Sequence, residues 1–230
     1  CSFSDIDVTT ILAIECTVDL RNTEYGTIQE PNLRAQEAGK IRLWFDLGVR
    51  VLWMDSDDTV EGARVGLIDN SYRTFGFSEV TGDDAVTFRD LNSITIVESG
   101  TFISNPYKLT TTFLDLQQET YVDIYDDTET TVWLVDDIPP IVSLQAPEDG
   151  SSQSSSDIIV KGTAYDLHRT VELVRVSVDG ETWLDAEGAE TFTCTVPDVP
   201  DGTALVRVRV YDAGGNFQEV VSRVFVDTSP

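Results

Sequence analysis

Lysine is nearly missing from this chain, with Lys40, Lys108 and Lys161 the only three among 230 residues. Histidine occurs once, at His168, and cysteine three times, at Cys1, Cys16 and Cys194. None of the cysteines lies in a C-x-x-C pair, and no Cys/His cluster has zinc spacing. An odd, sparse count gives no disulfide framework. One bridge has room, with Cys1–Cys16 the nearer pair, and the apolar alternation around Cys16 and Cys194 predicts two small buried hydrophobes. No run approaches the ~18 apolar residues of a membrane span. The N-x-S/T acceptor for N-glycosylation is absent, as are the nucleophile elbow, the P-loop and the dinucleotide fingerprint. His168 sits in the turn D-L-H-R-T, where a lone histidine is expected to be solvated rather than part of a triad. Nothing in the sequence sets two carboxylates across a sugar-binding cleft. No catalytic residue is expected, and the chain reads as a non-enzyme.

Acid is what the chain has in excess: 41 Asp and Glu against 15 Lys and Arg, a net charge of −26. Phosphates and anionic lipid headgroups would be repelled, which excludes nucleic acid and anionic membranes as partners. Abundant carboxylate with little lysine suits a protein living in high salt, where screening relieves self-repulsion. It points to a salt-adapted, archaeal source. Calcium is the rival explanation, because it neutralises clustered carboxylates directly. Plain solubility is the third.

Hydrophobic residues make up 41% of the chain, enough for real cores, and they come in short β-type patterns. In residues 41–54, Ile41, Leu43, Phe45, Leu47, Val49, Val51 and Trp53 alternate onto one face, with Arg42, Asp46 and Arg50 on the other. Ala63, Val65 and Leu67 alternate in a second strand. Gly82-Asp83-Asp84 marks a turn, after which Val86 and Phe88 point inward. Tyr107, Leu109 and Thr111 make another strand, and Asp126-Asp127 is expected to close a hairpin. Residues 141–227 carry seven strand-sized segments, among which Val171, Leu173, Arg175 and Ser177 alternate against Glu172, Val174, Val176 and Val178. "SSQSSSD" between them reads as a polar loop. Of the tryptophans, Trp53 and Trp133 are expected in cores. Trp44 is the best exposed candidate for a carbohydrate platform.

Three resemblances organise these patterns. Placing Phe3 over Tyr25 and Cys1 over Thr23 gives a period of 22, so residues 1–40 resemble terminal coils of a right-handed parallel β-helix. "MDSDDTVEGARV", "VTGDDAVTF" and "NPYKLTT" resemble, in order, the carboxypeptidase regulatory-like family over about 48–135. Thr59 and Asp84 depart from that family's usual proline and glycine. The resemblance implies a transthyretin-type β-sandwich. "PPIVSLQAPEDG", "VKGTAYD", "VRVSVDGETW" and "VRVYDAGGN" resemble the Ig-like modules of bacterial and archaeal surface proteins, which implies a second sandwich used as a spacer or adhesive module.

The expected fold is all-β: a β-helix-like segment at 1–40, a transthyretin-like sandwich at 41–137 and an Ig-like sandwich at 138–230 that runs into the next linker. "DDIPP" at 136–140 is a stiff join, and "WLVDDIPP" and "VFVDTSP" share one logic, so the chain reads as an excerpt of a tandem array. Calcium is expected at one pole of the last sandwich. Asp136 and Asp137 come from the linker, Asp166 from the B–C loop, and Asp212 and Asn216 from the F–G turn. The rival reading of these residues is ordinary turn chemistry. The expected role is structural or adhesive, in a large extracellular protein at the cell surface. Its expected partners are neighbouring domains, other surface proteins or carbohydrate. Two further readings are an accessory segment of a secreted polysaccharide- or protein-degrading enzyme, and a filament subunit joined by strand addition at open sheet edges.

Overall fold

The structure is a computed structural model and describes residues 11–21, 33–80 and 85–229. The Phe3/Tyr25 and Cys1/Thr23 alignments and the Gly82-Asp83-Asp84 turn lie outside these residues. Among the described residues every regular element is a strand, and the architecture is all-β. The chain divides into two compact units, 1–135 and 136–230.

The first unit holds β1 (Ile11–Ile14), β2 (Thr17–Arg21), β3 (Leu33–Gln36), β4 (Lys40–Trp53), β5 (Arg64–Ile68), β6 (Thr74–Glu79), β7 (Val86–Val97), β8 (Gly100–Ile103), β9 (Tyr107–Phe113), β10 (Leu116–Val122) and β11 (Thr128–Leu134). β4 organises it. Its odd-numbered residues from Ile41 to Trp53 are buried in unbroken alternation, as a half-buried strand requires. One edge of β4 pairs antiparallel with β7. The other edge is shared end to end by two parallel partners: β2 beside Lys40–Trp44 and β11 beside Leu47–Trp53. β8 completes this sheet. The position 40/41, where the sequence reading sets its first boundary, falls at the start of β4. A second sheet has the order β10-β9-β5-β6, and its Val65, Leu67, Tyr107 and Leu109, with Ala63 just before β5, meet the β4 face in one core.

Asp126 and Asp127 do not close a hairpin. β10 lies at the edge of the second sheet and β11 pairs with β4 in the first, so the chain crosses from sheet to sheet there. Ile124, fully buried, is the pivot. Its amide donates to Asn105 Oδ1 (3.0 Å), and its carbonyl accepts from Asn105 Nδ2 (3.0 Å) and from the Ser93 hydroxyl. Tyr107 seals the same region by donating to Asn92 O at 2.8 Å, and burial pushes its phenol up to about 12. Tight hairpins in this unit join β9 to β10, with Leu116 opposite Phe113, and β7 to β8, with Val97 opposite Gly100.

Two apolar expectations also fail. Trp133 is exposed, because Val132 and Leu134 take the inward positions of β11. Cys16 is exposed in the bend between β1 and β2, so local alternation ends before it, whereas Cys194 is buried. Trp44 is half-buried rather than open. Arg21 and Arg42 lie 5.0 and 5.2 Å from its ring, and its Nε1 donates to Asp19 Oδ1 at 3.1 Å.

The second unit holds β12 (Ile141–Ala146), β13 (Ser151–Gln153), β14 (Ile158–Tyr165), β15 (Val171–Ser177), β16 (Leu184–Asp185), β17 (Thr191–Val196), β18 (Gly202–Asp212) and β19 (Phe217–Val226). All seven expected segments contribute strands. They form two sheets, β12-β14-β17 and β13-β19-β18-β15-β16, around a valine-rich core with Phe192 at its centre. Gly162 is where β14 lets that ring in, since a Cβ there would strike Phe192 and come within 2.6 Å of Ser143 O. β13 is the strand hidden in the expected polar loop. It is short and made of Ser and Gln, and parallel pairing with β19, not burial, defines it. The alternation expected for β15 breaks at a register shift between Val171 and Leu173, so Val171, Val174, Val176 and Ser177 are the buried set.

The β15–β16 turn is held by Asp179, whose Oδ1 accepts from the amides of Thr182 (2.7 Å) and Glu181 (2.9 Å) and from Ser177 Oγ (3.0 Å). These donors hold its carboxyl well below the usual aspartate range, the Thr182 amide contributing most. A depressed folded-state pKa stabilises the fold fully above the unfolded value of 3.8, and that contribution is lost as pH falls below it. Asp179→Asn is therefore expected to flatten the acid limb of a melting-temperature profile taken from pH 6 down to pH 2. An unchanged limb would mean that the turn does not depend on the charge.

Candidate functional site

The residues singled out for calcium fall at one pole of the second unit, where the leading segment meets the β14–β15 loop and the β18–β19 turn. Each is placed by local backbone chemistry. Asp166 directly follows β14 and folds over the loop, its Oδ1 accepting from His168 N (2.9 Å) and Arg169 N (2.7 Å). Asp212 ends β18 and is 1% exposed. Its Oδ1 accepts from Asn216 N (2.9 Å) and its Oδ2 from Asn216 Nδ2 (3.0 Å), closing the D-A-G-G-N turn. Asn216 Nδ2 also donates to Asp136 O at 3.0 Å, which ties the leading segment to the turn. Arg169 Nη2 reaches Ala213 O at 3.3 Å and links the two loops.

Four of the five residues are thus brought together: Asp136, Asp166, Asp212 and Asn216. Asp137 is exposed and makes no part of the cluster. The surprise is His168. Expected to be solvated, it is buried, with its side chain 0% exposed and Nδ1 3.2 Å from Asp136 Oδ1. That separation is ion-pair proximity and not an aligned hydrogen bond. Asp136 presents a side chain only 1% exposed. Its Oδ1 also accepts from Ile138 N at 3.1 Å, while its Oδ2 has no hydrogen-bond partner among the described residues. Desolvation pushes the Asp136 carboxyl upward, and the nearby charges of Asp166 and Asp212 act in the same direction, against the opposing pull of Ile138 N and His168.

The donors that converge are one oxygen each from Asp136 and Asp166 and one nitrogen from His168, all within 4.8 Å of one another. Asp212 stands aside because Asn216 occupies both of its oxygens. The set is therefore poorer in oxygen than the five residues had implied. The D-x-H spacing at Asp166 and His168, just after a strand, was the signal for the histidine.

Residues 140–216 match the family described as bacterial Ig domain, Big_7. This stretch is an Ig-like module. It supplies Asp166, His168, Asp212 and Asn216, whereas Asp136 precedes it. The chain is also similar to Halomucin from Haloquadratum walsbyi (strain DSM 16790 / HBSQ001), with 22% identity over 223 residues, covering 87% of this chain and 2% of that protein. It thus spans a very small part of this relative's length. Among solved structures, the Clostridium thermocellum CbhA fibronectin(III)-like modules align at 18% identity and a TM-score of 0.35, covering 39% of this chain and 99% of that one. BcpA, the major pilin subunit of Bacillus cereus, aligns at 10% identity and a TM-score of 0.31, covering 80% and 69%.

In the Ig-like module, Asn216→Ala removes the donor that both Asp212 and the Asp136 carbonyl use. Bonds of this kind to a charged group contribute about 1.5–3 kcal/mol. The second unit's urea transition is expected to lose about 1–3 kcal/mol, whereas Asp137→Ala is expected to stay within about 0.5 kcal/mol. Equal losses for both would mean that the pole is not organised by Asn216.

Proposed function

We propose that this chain is a non-catalytic, tension-resisting spacer in a secreted surface protein, suited to high salt. The observation that carries the reading is the parallel pairing of β13 with β19 in the second unit, Ser151 opposite Val224 through Gln153 opposite Val226. Strands near the two ends of a unit that run parallel are loaded in shear when the chain is pulled, so their hydrogen bonds must fail together. The clamp is reinforced by Gly150 N to Arg223 O (2.7 Å) and Asp227 N to Gln153 O (2.9 Å). Arg223 N to Asp149 Oδ1 (2.7 Å) and Ser222 Oγ to Pro147 O (3.0 Å) brace its start. The Ig-like match and the likeness to Halomucin support a surface setting.

The first unit's assignment to a transthyretin-type sandwich, preceded by β-helix-like coils, belongs to the same proposal. Parallel pairing of β1 with β3 at an offset of 22 residues, Ile11 opposite Leu33, supports the coils. Adhesion, through neighbouring domains or carbohydrate, is the finer part of the reading.

Force spectroscopy on the full chain tests the spacer role. One high-force rupture is expected from the second unit, and Gln153→Pro, which removes a backbone donor from β13, should lower it more than it lowers the melting temperature. Low-force unfolding of the unmodified chain, or turnover of a polysaccharide or protein substrate, would overturn the reading.

The net charge of −26 sets the salt response. Raising potassium chloride shortens the screening length from about 10 Å at 0.1 M to about 3 Å at 1 M. The melting temperature in EDTA is expected to climb on the order of 10 °C between 0.1 and 3 M. A flat or falling profile would remove the high-salt part of the proposal.

A further inference from the structure

We propose that Asp136, Asp166 and His168 form a binding site for a borderline divalent transition ion of the zinc class. Two observations point the same way. One oxygen from each aspartate and one imidazole nitrogen already lie within 4.8 Å of one another. The Asp136 side chain is 1% exposed, and its Oδ2 lacks a hydrogen-bond partner among the described residues. A carboxylate oxygen taken out of water and left without a donor is costly, and the cost is relieved when a cation binds it. Asp136 is held at the pole by Asn216 on its carbonyl and Ile138 on its Oδ1, so the oxygen cannot simply swing to solvent.

The kind of ion follows from the donors. Calcium takes six to eight oxygens at about 2.3–2.6 Å. Here an imidazole stands among the donors, and Asp212 is closed off by Asn216. Zinc accepts imidazole and carboxylate together at roughly 2.0–2.2 Å, in tetrahedral geometry. The edge of such a tetrahedron is roughly 3.3 Å; His168 Nδ1 is 3.2 Å from Asp136 Oδ1, which also accepts from Ile138 N, and the unpartnered Oδ2 belongs to the same carboxylate. Three protein donors leave a fourth position for water. The ion would fasten the leading segment, through Asp136, to the β14–β15 loop. The inference stands independently of the spacer reading.

The chain has one histidine, so imidazole proton resonances report on His168 alone. The test uses the full chain without a polyhistidine tag, carrying Cys1→Ser and Cys16→Ser to remove competing thiols, after treatment with EDTA. Zinc at about 100 µM is expected to raise the second unit's melting temperature by several degrees through mass action. Cobalt(II) should give a visible absorption band of nitrogen and oxygen coordination that zinc displaces, and should shift the His168 resonances. His168→Gln should remove the zinc shift and the cobalt band. If that variant fails to fold, the cobalt band and the His168 resonances of the parent chain decide alone. No zinc shift and no cobalt band would overturn the site and leave a closed His–Asp pair. A calcium shift at 1 mM that survives His168→Gln, with zinc ineffective, would overturn it in favour of an oxygen-only site.

Discussion

Backbone amides take the place of counter-ions in this molecule. With 41 acidic and 15 basic residues, even one-to-one pairing leaves 26 carboxylates without a cation. The fold disposes of many of them by turning N–H groups toward them. Asp69 accepts from Ser71 and Arg73, Asp166 from His168 and Arg169, Asp179 from Glu181 and Thr182, and Asp201 from Thr228. Elsewhere the acceptor is distant in sequence: Asp46 receives Asp90 N, Asp127 receives Asp46 N, and Asp149 receives Arg223 N. Each such bond does two things at once. It satisfies a main-chain donor in a turn or within a strand, as at the β4–β7 register shift beside Asp46, and it fixes a negative charge where the backbone dipole favours it.

This arrangement explains why the acidic turns are firm and why one carboxylate stands out. The exposed turn aspartates spend an oxygen on one or more amides and face water with the rest, and the buried Asp69 and Asp212 have both oxygens served, by amides and Arg73 at Asp69 and by Asn216 at Asp212. Asp136 differs: its side chain is enclosed, and only one of its oxygens is served by an amide. Its neighbours Asp166 and Asp212 add charge of the same sign, and His168 is the nearest imidazole. The turn chemistry that competes with metal binding at Asp166 and Asp212 is thus fulfilled at Asp212, whereas Asp136 carries a surplus.

How much of this was legible in the sequence depended on whether burial or pairing defines an element. β4 and β9 are written in alternation because one face of each is packed in a core, and Ile41 to Trp53 could be assigned face by face. The Ig-like order of segments was equally plain, since each core strand carries its own valines. β13 was hidden because it is a three-residue edge strand of Ser and Gln, stabilised by main-chain bonds that leave no apolar mark. The crossing at Asp126-Asp127 looked like a hairpin because turn residues report a change of direction and not the sheet entered next. Asn105 and Ser93, which hold Ile124 at that crossing, lie far from it in sequence. His168 was misjudged for a related reason. Its loop composition is polar, and the carboxylate that stands 3.2 Å from its ring, Asp136, lies 32 positions earlier.

The proposed shear resistance and the acidity of the chain meet at the same clamp. β13, made of Ser and Gln, brings no apolar side chain to the pairing, whereas Val224 and Val226 of β19 are buried in the core, so what joins the two strands is main-chain bonds and the Asp149 carboxylate that accepts from Arg223 N. Hydrogen bonds between backbone groups carry no net charge, and salt that screens the −26 of the surface leaves them intact. A module that placed its strength in surface ion pairs would lose it in the medium its composition suits. The Arg207 and Arg209 pairs with Glu219 lie on the β18–β19 face, apart from the clamp, where their loss to screening costs little. In the proposed spacer role, the clamp that would take the tension rests mainly on uncharged main-chain bonds, with the Asp149 carboxylate as its one charged brace among those described.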